Sequence, residues 1–167
     1  MSGDLLLREV AVRLLDARLA GWGFPRWGSA LAAGLDLHAC LDAPVTLAPQ
    51  APPLLVPAGI AVAIRDPGWC ALVVPRSGLG HREGLVLGNT VGVIDADYEG
   101  PLMLSAWNRN PPGGAAIAIA PGERIAQLVF TRVARPHLHV VESFAGAHED
   151  GQTSGRGEGG FGSTGRR

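Results

Sequence analysis

Turn-forming residues interrupt this chain so often that its apolar stretches stay short. Glycine (24) and proline (13) together make up more than a fifth of the 167 residues. Both weaken helices, because glycine loses more backbone entropy on folding and proline lacks an N–H donor. The pattern argues against a long helical bundle and favours a turn-rich β fold. Turns are predicted at 52–53, 57–59, 66–68, 111–114 and 121–122.

The apolar segments between these turns have the length of β-strands. Along the first of them, Val10, Val12 and Leu14 alternate with other residues, as in a strand with one buried face. Short strands at fairly regular spacing predict an all-β sandwich or barrel. A helix over 5–20 is the main alternative, because leucine, alanine and arginine are good helix formers. The predicted strands are 10–15, 60–64, 71–74, 85–87, 101–107, 117–119 and 125–131.

Composition and charge argue against several classes of function. Apolar residues make up 47% of the chain and the formal net charge is −1, so we expect a packed core and no nonspecific nucleic-acid binding. Cys40 and Cys70 have no CxxC or Cys/His spacing, which predicts two buried thiols. No apolar run reaches the length of a membrane span, and charges among the first leucines argue against a signal peptide. We expect a soluble cytoplasmic protein with no nucleic-acid or membrane partner.

The composition changes after residue 144. The segment 146–167 has eight glycines and one bulky apolar residue, Phe161. Such a segment buries too little surface to offset its ordering entropy. We therefore expect a β-rich domain over 1–145 and a flexible glycine-rich arm over 146–167. The arm is either a dispensable end or a segment that orders over a ligand.

Two motifs have the chemistry to bind an anion. In PRSGLG, Arg76 offers a planar cationic fork, Ser77 a hydroxyl, and Gly78 lets a backbone N–H approach a phosphate closely. A short helix that began there would strengthen such a cradle, although a surface turn with a solvated arginine is the simpler explanation. In RGEGGFGSTG, glycine N–H groups and Arg156 could wrap an anion while Phe161 stacks on a planar base.

The segment GNTVGVIDADYEG, residues 88–100, predicts a β-hairpin with polar residues near its turn. Asp95 lies just before the turn in an apolar context, where burial would suit it to act as a general base. Asn89 could pair with a base edge, and Tyr98 could present its ring to a sugar. Alternatively, the aspartates form the turn and Tyr98 only packs.

Single polar residues stand out in two other apolar motifs. Gln127 in PGERIAQLVF needs a hydrogen-bond partner if it is buried, either within the sheet or on a ligand. Asp36 in AGLDLHA is by itself a weak signal, because an aspartate in a short strand usually forms a local cap.

Taken together and in this order, the five motifs closely resemble those of the trimeric, bacterial-type dUTPases (deoxyuridine triphosphate nucleotidohydrolases). The motifs spread over 33–165, so the resemblance covers most of the chain. It implies a jelly-roll-like β subunit in a homotrimer whose active sites are shared between chains. It also implies hydrolysis of dUTP to dUMP and pyrophosphate, which supplies dUMP for thymidylate synthesis and keeps uracil out of DNA.

The resemblance assigns a role to each motif. Asp95 would activate the water that attacks the α-phosphorus, and Mg²⁺ would bind the triphosphate largely through waters, with Asp36 linked to that hydrated metal. The hairpin would hold uracil and reject thymine and cytosine, and the arm would close over the nucleotide. The implied nucleoside contacts are Asn89, Val93, Ile94, Asp95, Tyr98 and Met103, the phosphate contacts are Arg76, Ser77, Gly78 and Gln127, and the arm contacts are Arg156, Phe161, Ser163 and Thr164.

Two alternatives stay open. A dCTP deaminase of the same superfamily would share the fold and related phosphate motifs, but the arm with Phe161 matches hydrolases and no second catalytic carboxylate is evident near the base pocket. A non-catalytic nucleotide-binding β module would be expected to lack the base, whereas Asp95 is present. The apolar segment around Trp22 and Trp27 is longer and more apolar than the family pattern needs, and it is either a trimer contact or part of the core. The terminal pair Arg166 and Arg167 has no role in the resemblance.

Overall fold

The computed structural model describes residues 9–142, and most of their secondary structure is β-strand. The chain divides into two units, Met1–Arg135 and Pro136–Arg167. All described helices and strands belong to the first unit, and 136–142 contains neither. In chain order the elements are β1 (Ala11–Leu14), α1 (Arg18–Gly21), β2 (Gly34–His38), β3 (Val45–Leu47), β4 (Leu54–Ala63), β5 (Trp69–Pro75), α2 (Ser77–Arg82), β6 (Leu85–Leu87), β7 (Gly92–Ile94), β8 (Pro101–Asn108), β9 (Ile117–Ile119) and β10 (Arg124–Arg132).

The strands form two four-stranded sheets and one two-stranded ribbon. The first sheet has the order β1-β4-β8-β6, the second has the order β2-β10-β5-β7, and β3 pairs with β9. Every pairing of named strands is antiparallel. Neither of the larger sheets closes on itself over the described residues, so the architecture is that of an all-β sandwich and not of a closed barrel.

The core lies between the inner faces of the sheets. Along β8, Leu102, Leu104 and Ala106 are buried while Met103 between them is 43% exposed, because successive side chains of a strand point to opposite faces. One hydrophobic cluster contains buried residues from all three sheets. The alternation that predicted strands from the sequence therefore also determines which residues form the core.

The strand predictions agree with the structure over most of this unit. All seven predicted segments overlap strands, and over the described residues the helix alternative for 5–20 is wrong, since β1 precedes a helix of only four residues. The predicted hairpin over 88–100 is also wrong. β7 pairs with β5, whereas β8 pairs with β4 and β6, so this segment crosses from one sheet to the other.

Both cysteines are free and buried, as predicted. Burial raises the pKa of the Cys40 thiol to about 11, which keeps it protonated at neutral pH. Within 9–142, none of the helices has the length and apolar character needed to cross a bilayer.

A glycine in β4 permits the chain segment before α1 to pack against the sheet. Gly59 has φ +70°, and its carbonyl accepts hydrogen bonds from the backbone N–H groups of Leu15 and Asp16, at 2.7 and 3.2 Å. A Cβ at this position would clash with the Cys40 sulfur and would lie 3.0 Å from the Asp16 Cβ. Gly59 is therefore required both by its backbone conformation and by the lack of space.

We predict that Gly59→Ala destabilises the protein more than Gly113→Ala. Gly113 also has a positive φ, +80°, but nothing lies within 4 Å of the position of its missing Cβ, so only backbone strain of about 1–2 kcal/mol is expected there. At Gly59, overpacking adds about 1–3 kcal/mol. Urea unfolding of the two variants measures the difference, and equal losses would contradict the packing argument.

Candidate active site

A cavity of about 590 Å³ lies on the outer face of the second large sheet. On β10, Ala126 and Leu128 are buried in the core, while Gln127 and Val129 line this cavity. Asp36 on the neighbouring strand β2 is the register partner of Gln127 and also lines it. The same alternation that builds the core thus places polar side chains on the opposite face.

The PRSGLG motif forms one wall of the cavity. β5 ends at Pro75 and α2 begins at Ser77, with Arg76 in extended conformation between them. The short helix that would strengthen an anion cradle is therefore present, and the first N–H groups of a helix have no acceptor within it. Arg76, Ser77 and Gly78 all line the cavity.

A carboxylate orients two of the arginines in this cavity. Asp36 is only 6% exposed. Its Oδ2 accepts a hydrogen bond from Arg124 Nη1 at 2.7 Å, and its Oδ1 lies 3.3 Å from Arg76 Nε. Arg76 Nη1 in turn donates to the Arg124 backbone carbonyl at 3.0 Å. We call this arrangement the Asp36 clamp, and it ties β2, β10 and the start of α2 together through charge-assisted bonds.

Gln127 has a structural partner and still faces the cavity. Its Nε2 donates to the carbonyl of Pro75 at 3.2 Å, and its side-chain oxygen lies where a Cβ of Gly34 would be. The Gln127 amide therefore occupies the space that a side chain at position 34 would need in this conformation. Both explanations for Gln127 weighed from the sequence are compatible with this position, because the amide bonds within the sheet and also lines the cavity.

The segment before β2 covers the outer face of that strand. Trp22 stacks on His38 with ring centroids 6.1 Å apart, and Phe24 packs edge-on against the same ring. Trp27 forms an isolated bridge with Leu35. This tryptophan-containing segment thus packs on β2, with Phe24 in the core and Trp22 against it, which agrees with the core alternative of the sequence analysis.

His38 is enclosed by this layer. Its ring is 2% exposed, and its Nδ1 has no hydrogen-bond partner among the described residues. Burial lowers the pKa of His38, and the charges of Arg124, Arg26 and Arg76 lower it further, against an opposing effect of Asp36. These guanidinium groups therefore act electrostatically on one small region around β2.

A second, separate cavity contains most of the predicted nucleoside contacts. Its volume is about 220 Å³. The Tyr98 hydroxyl donates to the Pro101 carbonyl at 3.0 Å, and a Cβ at Gly100 would lie 2.6 Å from that hydroxyl, so glycine there gives the ring its space. Of the predicted site residues, this cavity is lined by Val93, Ile94, Asp95, Tyr98 and Met103.

Two residues near this second cavity differ from the expectation. Asp95 is exposed in the single chain, so the prediction that its side chain is buried is wrong for the single chain. Asn89 lines neither cavity. Its Nδ2 would lie 3.5 Å from a Cβ at Gly92, the first residue of β7, and its carbonyl accepts a hydrogen bond from the N–H of Val91 at 2.7 Å.

The structure thus separates the predicted site into two groups. The predicted phosphate contacts and Asp36 share the larger cavity, most of the predicted nucleoside contacts share the smaller one, and the two cavities have no lining residue in common. The four arm residues, Arg156, Phe161, Ser163 and Thr164, lie outside the described residues. Three arginines of the larger cavity were missed by the sequence analysis: Arg26, Arg82 and Arg124. Arg124 belongs to the quoted motif PGERIAQLVF and Arg82 follows PRSGLG by two residues, whereas Arg26 lies outside every motif.

The side chains that line the larger cavity suit a metal ion only if a polyphosphate and water molecules supply most of its ligands. Within the described part of the chain, no group of three or more His, Cys, Asp or Glu side chains could hold a metal ion. The single carboxylate of the larger cavity already contacts two guanidinium groups. These residues do not form a protein cage for a cation, but they are compatible with a hydrated Mg²⁺ that a polyphosphate itself carries.

Comparisons with known proteins agree with the motif resemblance. The profile of a family described as dUTPase matches residues 21–165. The deoxyuridine 5'-triphosphate nucleotidohydrolase of Tolumonas auensis is 50% identical over 96% of this chain and 99% of its own length. That of Thiobacillus denitrificans is 52% identical over 93% of this chain and 99% of its own length.

Solved structures give the same result for the fold. The dUTPase of Staphylococcus bacteriophage 80alpha, solved with dUpNHpp, is 28% identical and superimposes with a TM-score of 0.77, covering 93% of this chain and 98% of its own. A mutant dUTPase of phage phi11 of S. aureus, described with a structural Mg(II) ion, is 26% identical with a TM-score of 0.69, covering 81% of this chain and 98% of its own.

We predict that Asp36→Asn lowers the free energy of unfolding by about 1–3 kcal/mol, because it leaves two neighbouring guanidinium groups without their shared counter-charge. Asp97→Asn is the matched control, since Asp97 is exposed and makes none of the side-chain hydrogen bonds found within 9–142. Its effect should stay within about 0.5 kcal/mol. Denaturant unfolding of both variants measures the difference, and indistinguishable stabilities would show that the clamp is not stabilising.

Proposed function

The chain belongs to the dUTPase family and is a dUTP diphosphatase, and we propose that it hydrolyses dUTP by means of a water molecule held by Asp95. The observation that supports this proposal is that the predicted site residues line two different cavities. Asp95 lies with the nucleoside contacts in one cavity, and the phosphate contacts lie in another. Each cavity matches one half of the same substrate.

This division supports a homotrimer with shared active sites. The α-phosphorus is bonded to the nucleoside, and the remaining phosphates extend away from it. A water held by Asp95 reaches that phosphorus only if both cavities face one substrate molecule. The smaller cavity, which Asp95 lines (the Asp95 cavity), and the larger cavity, which the phosphate contacts line (the phosphate cavity), share no lining residue within one chain. We therefore propose that the Asp95 cavity of one subunit faces the phosphate cavity of a second, in a closed symmetric assembly.

The chemical step that we propose is general-base catalysis. The Asp95 carboxylate accepts a proton from the bound water as the water oxygen attacks the α-phosphorus. The bond from that phosphorus to the bridging oxygen breaks, and pyrophosphate leaves. Arg76, Ser77, Gly78 and Gln127 bind the phosphates, and the arginine charge stabilises the negative charge that grows on the leaving group.

Recognition of the nucleoside falls to the smaller cavity and its flanking turn. We propose that Val93 and Ile94 contact the nucleoside, that Tyr98 packs under the deoxyribose, and that Met103 adds a further contact. Asn89, beside Gly92 at the start of β7, would supply an amide to the uracil edge. A site that hydrogen-bonds one base edge rejects cytosine because its own polar groups are then left unpaired.

The arm and magnesium complete the proposal. Arg156, Phe161, Ser163 and Thr164 would close over the nucleotide and exclude bulk water. Mg²⁺ would be carried by the triphosphate through its oxygens and waters, with Asp36 as the carboxylate linked to it, and would supply charge neutralisation. We further propose a cytoplasmic role in nucleotide metabolism, providing dUMP for thymidylate synthesis and keeping uracil out of DNA, without nucleic-acid or membrane partners.

We predict that Asp95→Asn abolishes most turnover but preserves dUTP binding, since the amide keeps the shape of the side chain and cannot accept the proton. The loss of kcat should be at least about 100-fold, with Asp97→Asn as the control that stays near wild type. Pyrophosphate release from dUTP, dTTP, dCTP and UTP, with and without Mg²⁺, is the measurement. Undiminished turnover in Asp95→Asn would remove Asp95 from the mechanism, and uracil products from dCTP would identify a deaminase instead.

We predict that two inactive variants restore activity when they assemble together. A trimer containing both Asp95→Asn and Arg76→Ala chains forms one site that takes an intact Asp95 from one chain and an intact Arg76 from another, so about a third of the sites in the purified mixed trimers should be restored. The chains are co-expressed with different tags, purified through both tags and assayed with dUTP. Each variant expressed alone is the control. No recovery in the mixed assembly would place the complete site within one chain.

A further inference from the structure

The phosphate cavity carries more positive charge than the motif residues account for. Its lining includes one carboxylate and four guanidinium groups, from Asp36 and from Arg26, Arg76, Arg82 and Arg124. Asp36 contacts Arg76 and Arg124. Among residues 9–142, no acidic side chain forms an ion pair with Arg26 or Arg82. Two arginines in the cavity thus lack a counter-charge in the described chain.

The backbone around Arg26 is fixed beside the Asp36 clamp. The backbone N–H of Asp36 donates to the Arg26 carbonyl at 3.0 Å, and the next residue, Trp27, is bridged to Leu35. The side chain itself is exposed and lines the cavity. Arg26 lines the same cavity as Arg76 and Arg124, and the charges of all three lower the pKa of His38.

Arg82 reaches the same cavity across a glycine. It is the last residue of α2, whereas Gly78 is in its first turn. A Cβ at Gly78 would lie 3.0 Å from Arg82 Nη2. The Arg82 guanidinium therefore lies against the position that a side chain at Gly78 would occupy, in the cavity that Ser77 also lines.

Like charges held together in a cavity repel one another until an anion is bound, and a polyanion is the ligand that relieves this repulsion best. Guanidinium groups are also suited to phosphate by their planar arrangement of donors. We infer that Arg26 and Arg82 bind the pyrophosphate portion of the substrate, in addition to the motif residues. The inference rests on the proposed function, which places the triphosphate in this cavity. The pyrophosphate portion is the part that extends farthest from the nucleoside and carries most of the charge.

The test is product inhibition of the full-length enzyme by inorganic pyrophosphate and, separately, by dUMP. The variants are Arg26→Ala, Arg82→Ala and the double variant. Arg132→Ala is the matched control, because Arg132 is an exposed arginine at the end of β10 that lines neither cavity. Arg26→Ala is expected to fold, because the hydrogen bond to Asp36 uses the Arg26 backbone carbonyl. Arg26→Gln is a second variant that keeps most of the side-chain length, and thermal unfolding verifies folding.

Loss of one charge-assisted contact should raise the inhibition constant for pyrophosphate about 10-fold in each single variant, and further in the double variant. The constant for dUMP should not change, and Arg132→Ala should match wild type in both. Folded Arg26 and Arg82 variants with an unchanged pyrophosphate constant would overturn the inference. Equal losses for pyrophosphate and dUMP would also overturn it. A wild-type enzyme that releases no pyrophosphate from dUTP would instead overturn the proposed function.

Discussion

The two faces of strands β2 and β10 determine both the stability and the chemistry of this chain. Leu37 and Leu128 are fully buried on the inner face, while Asp36 and Gln127, paired in register, lie on the other face and line the phosphate cavity. A shift of the register by one residue would exchange these faces. Burial of the apolar set therefore fixes the position of the polar set, and the site has the rigidity of the sheet.

Electrostatics then decides what this outer face can bind. The Asp36 clamp uses the one carboxylate that lines the cavity within residues 9–142 to orient Arg76 and Arg124. A clamp of this kind reduces the freedom of long arginine side chains, so less entropy is lost when a phosphate binds. The excess of guanidinium groups favours a polyanion. The cavity around Asp95 holds no such excess, and the two cavities are complementary halves of the site that we propose for adjacent subunits.

Much of this arrangement was predictable from the sequence. Short apolar segments between turns predicted the strands, because the period of two is a local property of the backbone. The motif residues Arg76, Ser77 and Gly78 were predicted as phosphate contacts, whereas the short helix that begins at Ser77 was considered only as a condition that would strengthen the cradle. The hairpin over 88–100 was wrong, because β7 and β8 pair with strands distant in sequence. Arg26 was missed for the same reason, since only the packing of its segment on β2 brings it to the cavity.

The sequence by itself determined the family and the all-β character and predicted the candidate site residues, because these depend on motifs and on local periodicity. Tertiary structure decided how those residues are grouped. The sequence order of the motifs does not show that Asp36 contacts Arg76 and Arg124, or that Asp95 lies in a different cavity from Gln127. Strand pairing between segments that are distant in sequence brings Asp36, Arg76 and Arg124 together and keeps Asp95 apart from Gln127. The register of this pairing depends on the burial of the sheets as a unit and not on residues that are adjacent in sequence.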